Sequence, residues 1–181
     1  ISCSLVGSEM CIRDSYNSLG LIRKRGTNMP TAKVVFATIT GNNEDCADII
    51  AEALEDLGVE VDESEISQTD ADEFENFDIC VVVPYTYDEG ALPEEGMDFY
   101  EELPDLDLKG KIFGVAGSGD VFYEEFYCVA VDAFAKAFKA ANAKQGAEPV
   151  KINLAPESEE DLNQLDAFAK KLVDSYNASQ N

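Results

Sequence analysis

The chain of 181 residues is long enough for one domain with a sizeable core, and its 45% hydrophobic content is typical of a globular protein. Its 37 Asp and Glu against 13 Lys and Arg give a formal net charge of -24, which argues against nucleic-acid and anionic-membrane partners. Histidine is absent and the five cysteines show no CxxC spacing, so hydrolase triads and zinc sites are not expected, and Cys46 and Cys80 are predicted to be small buried residues.

The first 28 residues differ in composition from the rest. They hold four basic and two acidic residues, so nine basic face 35 acidic residues from Met29 onward. A signal peptide is not indicated, because Glu9 and Arg13 interrupt the apolar part and the basic stretch RKR follows it. No run approaches the ~20 apolar residues of a membrane span. We expect residues 1–28 to be a disordered or artefactual leader and residues 29–181 to form one domain.

The first predicted strand is KVVFA, residues 33–37, an apolar run typical of parallel strands that are covered on both faces. A helix is predicted after it, since apolar residues recur at a spacing of three or four from Cys46 to Leu57. Gly58 is suited to end this helix in a left-handed conformation.

The segment TITGNN, residues 38–43, joins this strand to the helix. Gly41 permits a tight turn, and main-chain N–H groups at a helix N-terminus can donate to an anion together with threonine and asparagine side chains. The segment has neither the lysine of a Walker P-loop nor the spacing of a GxGxxG motif. Taken alone, it is most simply an ordinary helix cap.

The second predicted strand, VEVDES from residue 59, alternates apolar and polar residues and is predicted to lie at an edge. The third, DICVVV at residues 78–83, is apolar throughout and leads into PYTYDEGALPEEG, residues 84–96. Tyr85 and Tyr87 in this loop either pack on their own domain or form walls for a planar ring ligand. A short helix is predicted near residues 97–103.

The fourth predicted strand is KIFGVA, residues 111–116, and GSGDVFYEEFY, residues 117–127, follows it. The glycines allow main chain to approach a ligand, Asp120 offers a hydrogen-bond acceptor, and Tyr123 offers a second aromatic wall. Taken alone, the segment is a glycine-rich turn before a helix. That helix is predicted from an apolar stripe over residues 126–141.

The last predicted strand, VKINL from residue 150, alternates apolar and polar residues, and a C-terminal helix follows it with Ser158 in a capping box. Five strands alternating with helices predict a doubly wound α/β domain with a five-stranded parallel sheet of order 2-1-3-4-5. Ligands of such sheets bind beyond the carboxyl ends of the strands, where the order reverses between strands one and three. The three loops described above converge there.

The series TITGN, YTYDEG and GSGDVFYEEF, in this order at the ends of the first, third and fourth predicted strands, resembles the flavodoxin family. The resemblance covers residues 29–181 and is to the short-chain type, since no long insertion interrupts the fifth strand. It implies a flavodoxin-like three-layer sandwich, non-covalently bound FMN, and a low-potential one-electron carrier, not an enzyme, between a reductase and acceptor redox enzymes. The alternative is an FMN-dependent NAD(P)H:quinone or flavin reductase on the same fold.

The resemblance implies cofactor roles in all three loops. TITGNN would surround the FMN phosphate, Tyr87 and Tyr123 would flank the ring, and Asp120 would accept from the flavin N3–H group. Asn43 stands where the family usually has Thr. Asp88 stands where it commonly has a Gly whose peptide turns over on reduction, and Asp adopts left-handed conformations less freely. The expected cofactor-binding residues are Thr38, Ile39, Thr40, Gly41, Asn42, Asn43, Pro84, Tyr85, Thr86, Tyr87, Asp88, Ser118, Gly119, Asp120 and Tyr123.

The acidic composition and the resemblance together imply that the partners are basic faces of redox proteins, such as a flavodoxin/ferredoxin NADP reductase. We expect a cytoplasmic monomer without metal, nucleic-acid or membrane partners. A receiver domain of the response-regulator type shares the topology, but it would need an Asp ending the third strand and a Lys ending the fifth. The sequence has Pro84 and the segment NLAP at those places.

Overall fold

The computed structural model describes residues 29–180, so the predicted leader, residues 1–28, lies outside the described residues. Its strands are β1 (Thr31–Phe36), β2 (Glu60–Glu65), β3 (Ile79–Val83), β4 (Ile112–Gly119), β5 (Lys144–Gln145) and β6 (Val150–Asn153). Its α-helices are α1 (Asn42–Asp56), α2 (Met97–Glu102), α3 (Val129–Ala140) and α4 (Glu159–Ser179).

The strands form one parallel sheet in the order β2-β1-β3-β4, and both β5 and β6 lie beside β4. The predicted order 2-1-3-4-5 is confirmed, but its fifth position holds two segments in place of one strand. β5 pairs with the start of β4 and β6 with its end. Between them Gly146 packs so closely that a Cβ there would lie 2.3 Å from Ile112 Cγ2, and Pro149 has no N–H to continue a ladder.

β4 is longer than the predicted strand at residues 111–116, and the placement of Gly117, Ser118 and Gly119 in a loop was wrong. These residues pair with Lys151, Ile152 and Asn153 of β6. Pairing with the neighbouring strand therefore extends β4 beyond the end of its own apolar run. The following helix α3 begins at Val129, three residues later than the predicted stripe, because a 3₁₀ turn at Val121–Phe126 precedes it.

Helices cover both faces of the sheet. On one face, α1 and α4 pack on a cluster that includes Val34, Val81 and Ala116; on the other, α2 and α3 pack on a cluster that includes Val82 and Val115. Because successive residues of β3 and β4 enter opposite clusters, both faces must be apolar, which explains the continuous apolar runs. The predicted three-layer sandwich is confirmed.

The described cysteines are Cys46, Cys80 and Cys128, which are unpaired and buried, as predicted for the first two. Burial raises the pKa of the Cys46 and Cys80 thiols to about 12 and that of the Cys128 thiol to about 11. Within residues 29–180, no group of three or more Cys, Asp or Glu side chains is placed to hold a metal ion. No helix in that range has the length and apolarity to cross a bilayer.

Candidate functional site

A cleft of about 270 Å³ lies beyond the carboxyl ends of β1, β3 and β4, where the strand order reverses. Twelve of the described residues line it; eleven of them belong to the predicted set, and Leu154 does not. Four predicted residues, Thr38, Gly41, Pro84 and Asp88, lie beside the cleft lining in the same loops. The lining residues are Ile39, Thr40, Asn42, Asn43, Tyr85, Thr86, Tyr87, Ser118, Gly119, Asp120, Tyr123 and Leu154.

The segment after β1 turns sharply into helix α1. Gly41 precedes the helix with a φ of +92°, a conformation that glycine adopts without strain. Its N–H donates to Thr38 Oγ1 at 2.9 Å, and its carbonyl accepts from Asp45 N at 2.9 Å. The amide groups of the first helical turn that precede this bond have no intrahelical acceptor and lie at the positive end of the helix dipole.

Asn43 connects the β1 segment to β4. Its side chain is 3% exposed, and Oδ1 accepts from the main-chain N of Ser118 at 2.8 Å. This contact spans 75 residues of sequence, so the local motif did not reveal it. The role predicted for Asn43 as a donor to the phosphate stays a prediction.

The segment after β3 is fixed to its neighbours before it reaches the cleft. A Cβ at Gly117 would lie 2.5 Å from the Pro84 carbonyl oxygen, so only glycine allows these main chains to approach so closely. Thr86 Oγ1 accepts from Ala130 N at 3.0 Å, near the start of α3. Tyr85 is half-buried and its hydroxyl donates to Glu95 Oε2 at 2.8 Å. Burial, and then Glu95, raises the pKa of Tyr85 to about 12.

Beyond Thr86 the same segment forms a tight turn with an exposed aromatic ring. Tyr87 and Ala91 exchange two main-chain hydrogen bonds of 2.9 and 2.8 Å. Within the turn Asp88 has a φ of +46° and Gly90 a φ of +92°. Tyr87 is 60% exposed. Asp88 therefore occupies the left-handed region, which a glycine would enter without strain.

After β4, Asp120 begins a 3₁₀ turn that carries two exposed aromatic side chains. Asp120 Oδ1 accepts from Phe122 N at 2.8 Å, and its second oxygen has no hydrogen-bond partner among residues 29–180. Phe122 is 80% exposed and Tyr123 is 49% exposed. Their rings meet edge to face with centroids 5.7 Å apart.

The corner after β6 is hydrogen-bonded to this 3₁₀ turn. Its residues were not among the predicted site residues. Leu154 N donates to the Gly119 carbonyl at 2.7 Å, and Asn153 Oδ1 accepts from Val121 N at 3.1 Å. Leu154 has a φ of +60° and is half exposed at the cleft. The signal that could have found it is its place directly after a parallel strand, because such ends share one edge of the sheet.

The residues that line the cleft suit a planar group bearing a phosphate. Among residues 29–180, no lysine or arginine lines it, and the one carboxylate in its lining is that of Asp120. Hydroxyl, amide and helix N–H donors line it together with the exposed rings of Tyr87 and Tyr123, and the unpaired carboxylate oxygen of Asp120 is an acceptor. A second surface hollow, lined by Asp45, Asp48, Glu52 and Glu157, would repel an anion.

A doubly wound sheet with uncharged anion donors and exposed aromatic rings at its switch point defines a class: proteins that bind a nucleotide cofactor beyond the strand ends. The comparisons with known proteins identify the family. A family model described as Flavodoxin matches residues 34–168. The chain belongs to the flavodoxin family.

Individual relatives agree with this assignment. "Probable flavodoxin 1" of Bacillus subtilis (strain 168) is 37% identical over 142 residues, which cover 78% of this chain and 89% of that protein. A solved short-chain flavodoxin associated with a bacterial microcompartment is 57% identical, with a TM-score of 0.80 and coverage of 82% of this chain and 99% of that chain. The flavodoxin of Streptococcus pneumonia TIGR4 is 51% identical, with a TM-score of 0.77 and coverage of 80% and 98%.

Membership in this family gives the general function. The chain is an FMN-binding electron carrier, an electron-transfer protein and not an enzyme, as predicted. The alternative of a quinone or flavin reductase receives no support from the comparisons. The bound FMN supplies the redox chemistry, and the polypeptide supplies binding, orientation and the electrostatic environment.

Proposed function

We propose that the cleft binds FMN with its phosphate at the β1–α1 turn and its ring between Tyr87 and Tyr123. One observation carries this proposal: the uncharged donors of the turn and the two exposed tyrosines line the same cleft. The phosphate ligands would be the hydroxyls of Thr38 and Thr40 and the side-chain and main-chain N–H groups of Asn42 and Asn43, with Gly41 shaping the turn around them.

Tyr87, and not Tyr85, is proposed as the inner ring partner. The Tyr85 side chain packs against the buried cluster, and its hydroxyl donates to Glu95. Its ring is therefore already packed within the domain and is less available to stack on a ligand. The Tyr87 ring is largely exposed, so stacking a planar ligand on it would bury more aromatic surface than stacking on Tyr85. Main chain of Thr86, Ser118 and Gly119 would line the ring edge, and the unpaired oxygen of Asp120 would accept from N3–H.

The potential of the bound flavin is proposed to be low. Reduction that adds negative charge is disfavoured where carboxylates are near and cations are not. The segments that carry Tyr87 and Tyr123 are rich in carboxylates, and none of the lining residues that the structure describes is basic. These carboxylates are Asp88, Glu89, Glu94, Glu95, Asp120, Glu124 and Glu125.

The rim of the cleft is proposed as the docking surface for redox partners. Ile39, Val121, Phe122 and Leu154 are exposed apolar side chains in the loops around it, and the carboxylates above surround them. The complementary surface is an apolar patch with a basic border, as on a flavodoxin/ferredoxin NADP reductase. We also propose a cytoplasmic monomer, which the buried, unpaired thiols among residues 29–180 support.

These proposals are tested by titrating apoprotein with FMN and recording absorption spectra during stepwise reduction. We expect one FMN per chain and a final reduction potential well below that of free FMN. NADPH should reduce the bound flavin only when a partner reductase is present, and more slowly at high salt. Steady turnover of NADPH or a quinone by the protein alone would contradict the carrier assignment.

The ring partners are tested separately. Tyr87→Leu should weaken FMN binding by about fivefold to 150-fold, since stacking on an aromatic ring is worth about 1–3 kcal/mol. Tyr85→Phe removes only the hydroxyl bonded to Glu95 and is the matched control. A larger loss of affinity for Tyr85→Phe than for Tyr87→Leu would overturn the assignment of Tyr87.

A further inference from the structure

The main-chain N–H of Ser118 lacks a strand partner on one side of the sheet. The registered pairing of β3 with β4 ends at Val82 opposite Val115, while β4 continues to Gly119. Ser118 is 5% exposed, so its N–H needs an acceptor from the protein. Asn43 Oδ1 is that acceptor at 2.8 Å, and a side chain of α1 therefore replaces a strand carbonyl.

This hydrogen bond fixes the orientation of the Asn43 amide. A main-chain N–H can only donate, so the amide oxygen must face Ser118 and the Nδ2 group must point away from it. Among residues 29–180, the hydrogen bond formed by this side chain is the one from Ser118 N to Oδ1, and none is formed by Nδ2. Asn43 lines the cleft in the first turn of α1, beside the N–H groups without intrahelical acceptors. Its planar amide thus connects the phosphate end of the cleft to the segment from Ser118 to Asp120.

We infer that Asn43 is a positioning residue that couples phosphate binding to the ring-binding segment, an inference that rests on the proposed function. Its Nδ2 group donates to the phosphate while its oxygen holds Ser118 in place. The amide is rigid, so an anion that fixes Nδ2 also fixes the oxygen. Phosphate binding therefore tightens the segment that carries Asp120. A threonine hydroxyl is one bond shorter and serves the phosphate without reaching Ser118.

The test compares two variants with two ligands, FMN and riboflavin, which differ only in the phosphate. Asn43→Asp keeps an oxygen facing Ser118 but places negative charge toward the phosphate. We expect its affinity for FMN to fall about tenfold or more, and its affinity for riboflavin to change less than about threefold. Asn43→Thr should lower both affinities, riboflavin about threefold and FMN about tenfold, because it releases Ser118 and also removes the coupling to the phosphate.

Hydrogen exchange of the Ser118 amide in apoprotein reports the coupling without any flavin. Inorganic phosphate should slow this exchange in the unaltered protein and have no such effect in Asn43→Thr. Glu52→Gln is the control, because Glu52 is an exposed residue of the same helix that does not line the cleft, and phosphate should still slow the exchange in that variant.

The inference is overturned if phosphate leaves Ser118 exchange unchanged in the unaltered protein, or if Asn43→Thr lowers FMN and riboflavin affinity by the same factor. In those cases the bond to Ser118 is only structural. Failure of the unaltered protein to bind FMN is a different result, which would contradict the proposed function itself. Asn43→Asp retains the bond to Ser118, so it keeps the test valid even if Asn43→Thr does not fold.

Discussion

Backbone strain is concentrated around the cleft. Five non-glycine residues within the described range have positive φ, and four of them, Asp88, Glu124, Cys128 and Leu154, lie in or next to the loops after β3, β4 and β6. A left-handed conformation costs about 1–2 kcal/mol for a residue with a Cβ. Such strain is usually found where a loop must hold a defined shape for a ligand.

Neutralising the carboxylates of the Tyr87 turn should raise the reduction potential. Two unit charges about 10 Å apart near a protein surface interact by on the order of 1 kcal/mol, or about 40 mV for one electron. We therefore expect Asp88→Asn with Glu89→Gln to raise the final potential by tens of millivolts, as measured by spectroelectrochemistry.

The control for this pair is Asp105→Asn. It removes one exposed charge in the segment that precedes β4, near the amino ends of the strands and not the carboxyl ends that form the cleft. It should leave the potential almost unchanged. Asn is chosen at position 88 because it also tolerates positive φ. An unchanged or lowered potential in the double variant would contradict the electrostatic account.

Local sequence motifs were sufficient to find most of the cleft lining, and long-range pairing explains what they missed. The glycine, tyrosine and Asp120 positions follow directly from strand ends and turn residues. Leu154 and the bond between Asn43 and Ser118 depend on which strand lies beside β4 and where β3 stops. Neither fact is encoded in a contiguous stretch of residues.

At the level of elements, the apolar runs predicted the three central strands, the helical periodicities predicted α1, α3 and α4, and the short helix α2 was expected near residues 97–103. The division of the fifth strand position into β5 and β6 was not predicted, because it depends on contacts of Gly146 with Ile112 and Leu172 from other elements. The length of β4 was not predicted for a similar reason: its last residues form a strand only because they pair with β6.

The packing of α1 on β2 creates a carboxyl group with an unusual pKa. Glu63 of β2 is partly buried, and burial, followed by the negative charge of Asp48, raises its pKa to about 7. Glu44 and Glu55 of α1 act in the same direction. The folded chain therefore holds this proton more tightly than the unfolded chain, where the pKa of a glutamate is about 4.3.

The sign of the resulting pH dependence follows from linkage. The contribution of Glu63 is full below about pH 4 and is lost as the pH rises through about 7, so this group makes the protein less stable at alkaline pH. Glu63→Gln should raise the free energy of unfolding at about pH 8 more than at about pH 5, measured by urea denaturation.

Glu60→Gln is the control on the same strand, because Glu60 is exposed and its charge is screened by solvent. Its effect should differ little between the two pH values. If Glu63→Gln raised the free energy of unfolding equally at both pH values, the Glu63 carboxyl would not be protonated in the folded chain near neutral pH.

For the whole molecule, the formal charge of -24 opposes both folding and the binding of an anionic cofactor. Salt screens this repulsion, with a Debye length of about 10 Å at 0.1 M. We expect the free energy of unfolding of the apoprotein and its affinity for FMN both to rise between about 0.01 and 0.3 M NaCl. KCl should act equally if screening is the cause, and a fall in stability would contradict it.

The burial of Cys46, Cys80 and Cys128 affects how well the protein resists oxidation by peroxide formed at its own flavin. Reduced flavins exposed to air produce peroxide close to the polypeptide that carries them. Oxidation of a cysteine requires an accessible thiolate, and these three side chains are at most 1% exposed with raised pKa values. Residues 29–180 thus present no reactive sulfhydryl to solvent, and repeated aerobic cycling should leave these thiols intact.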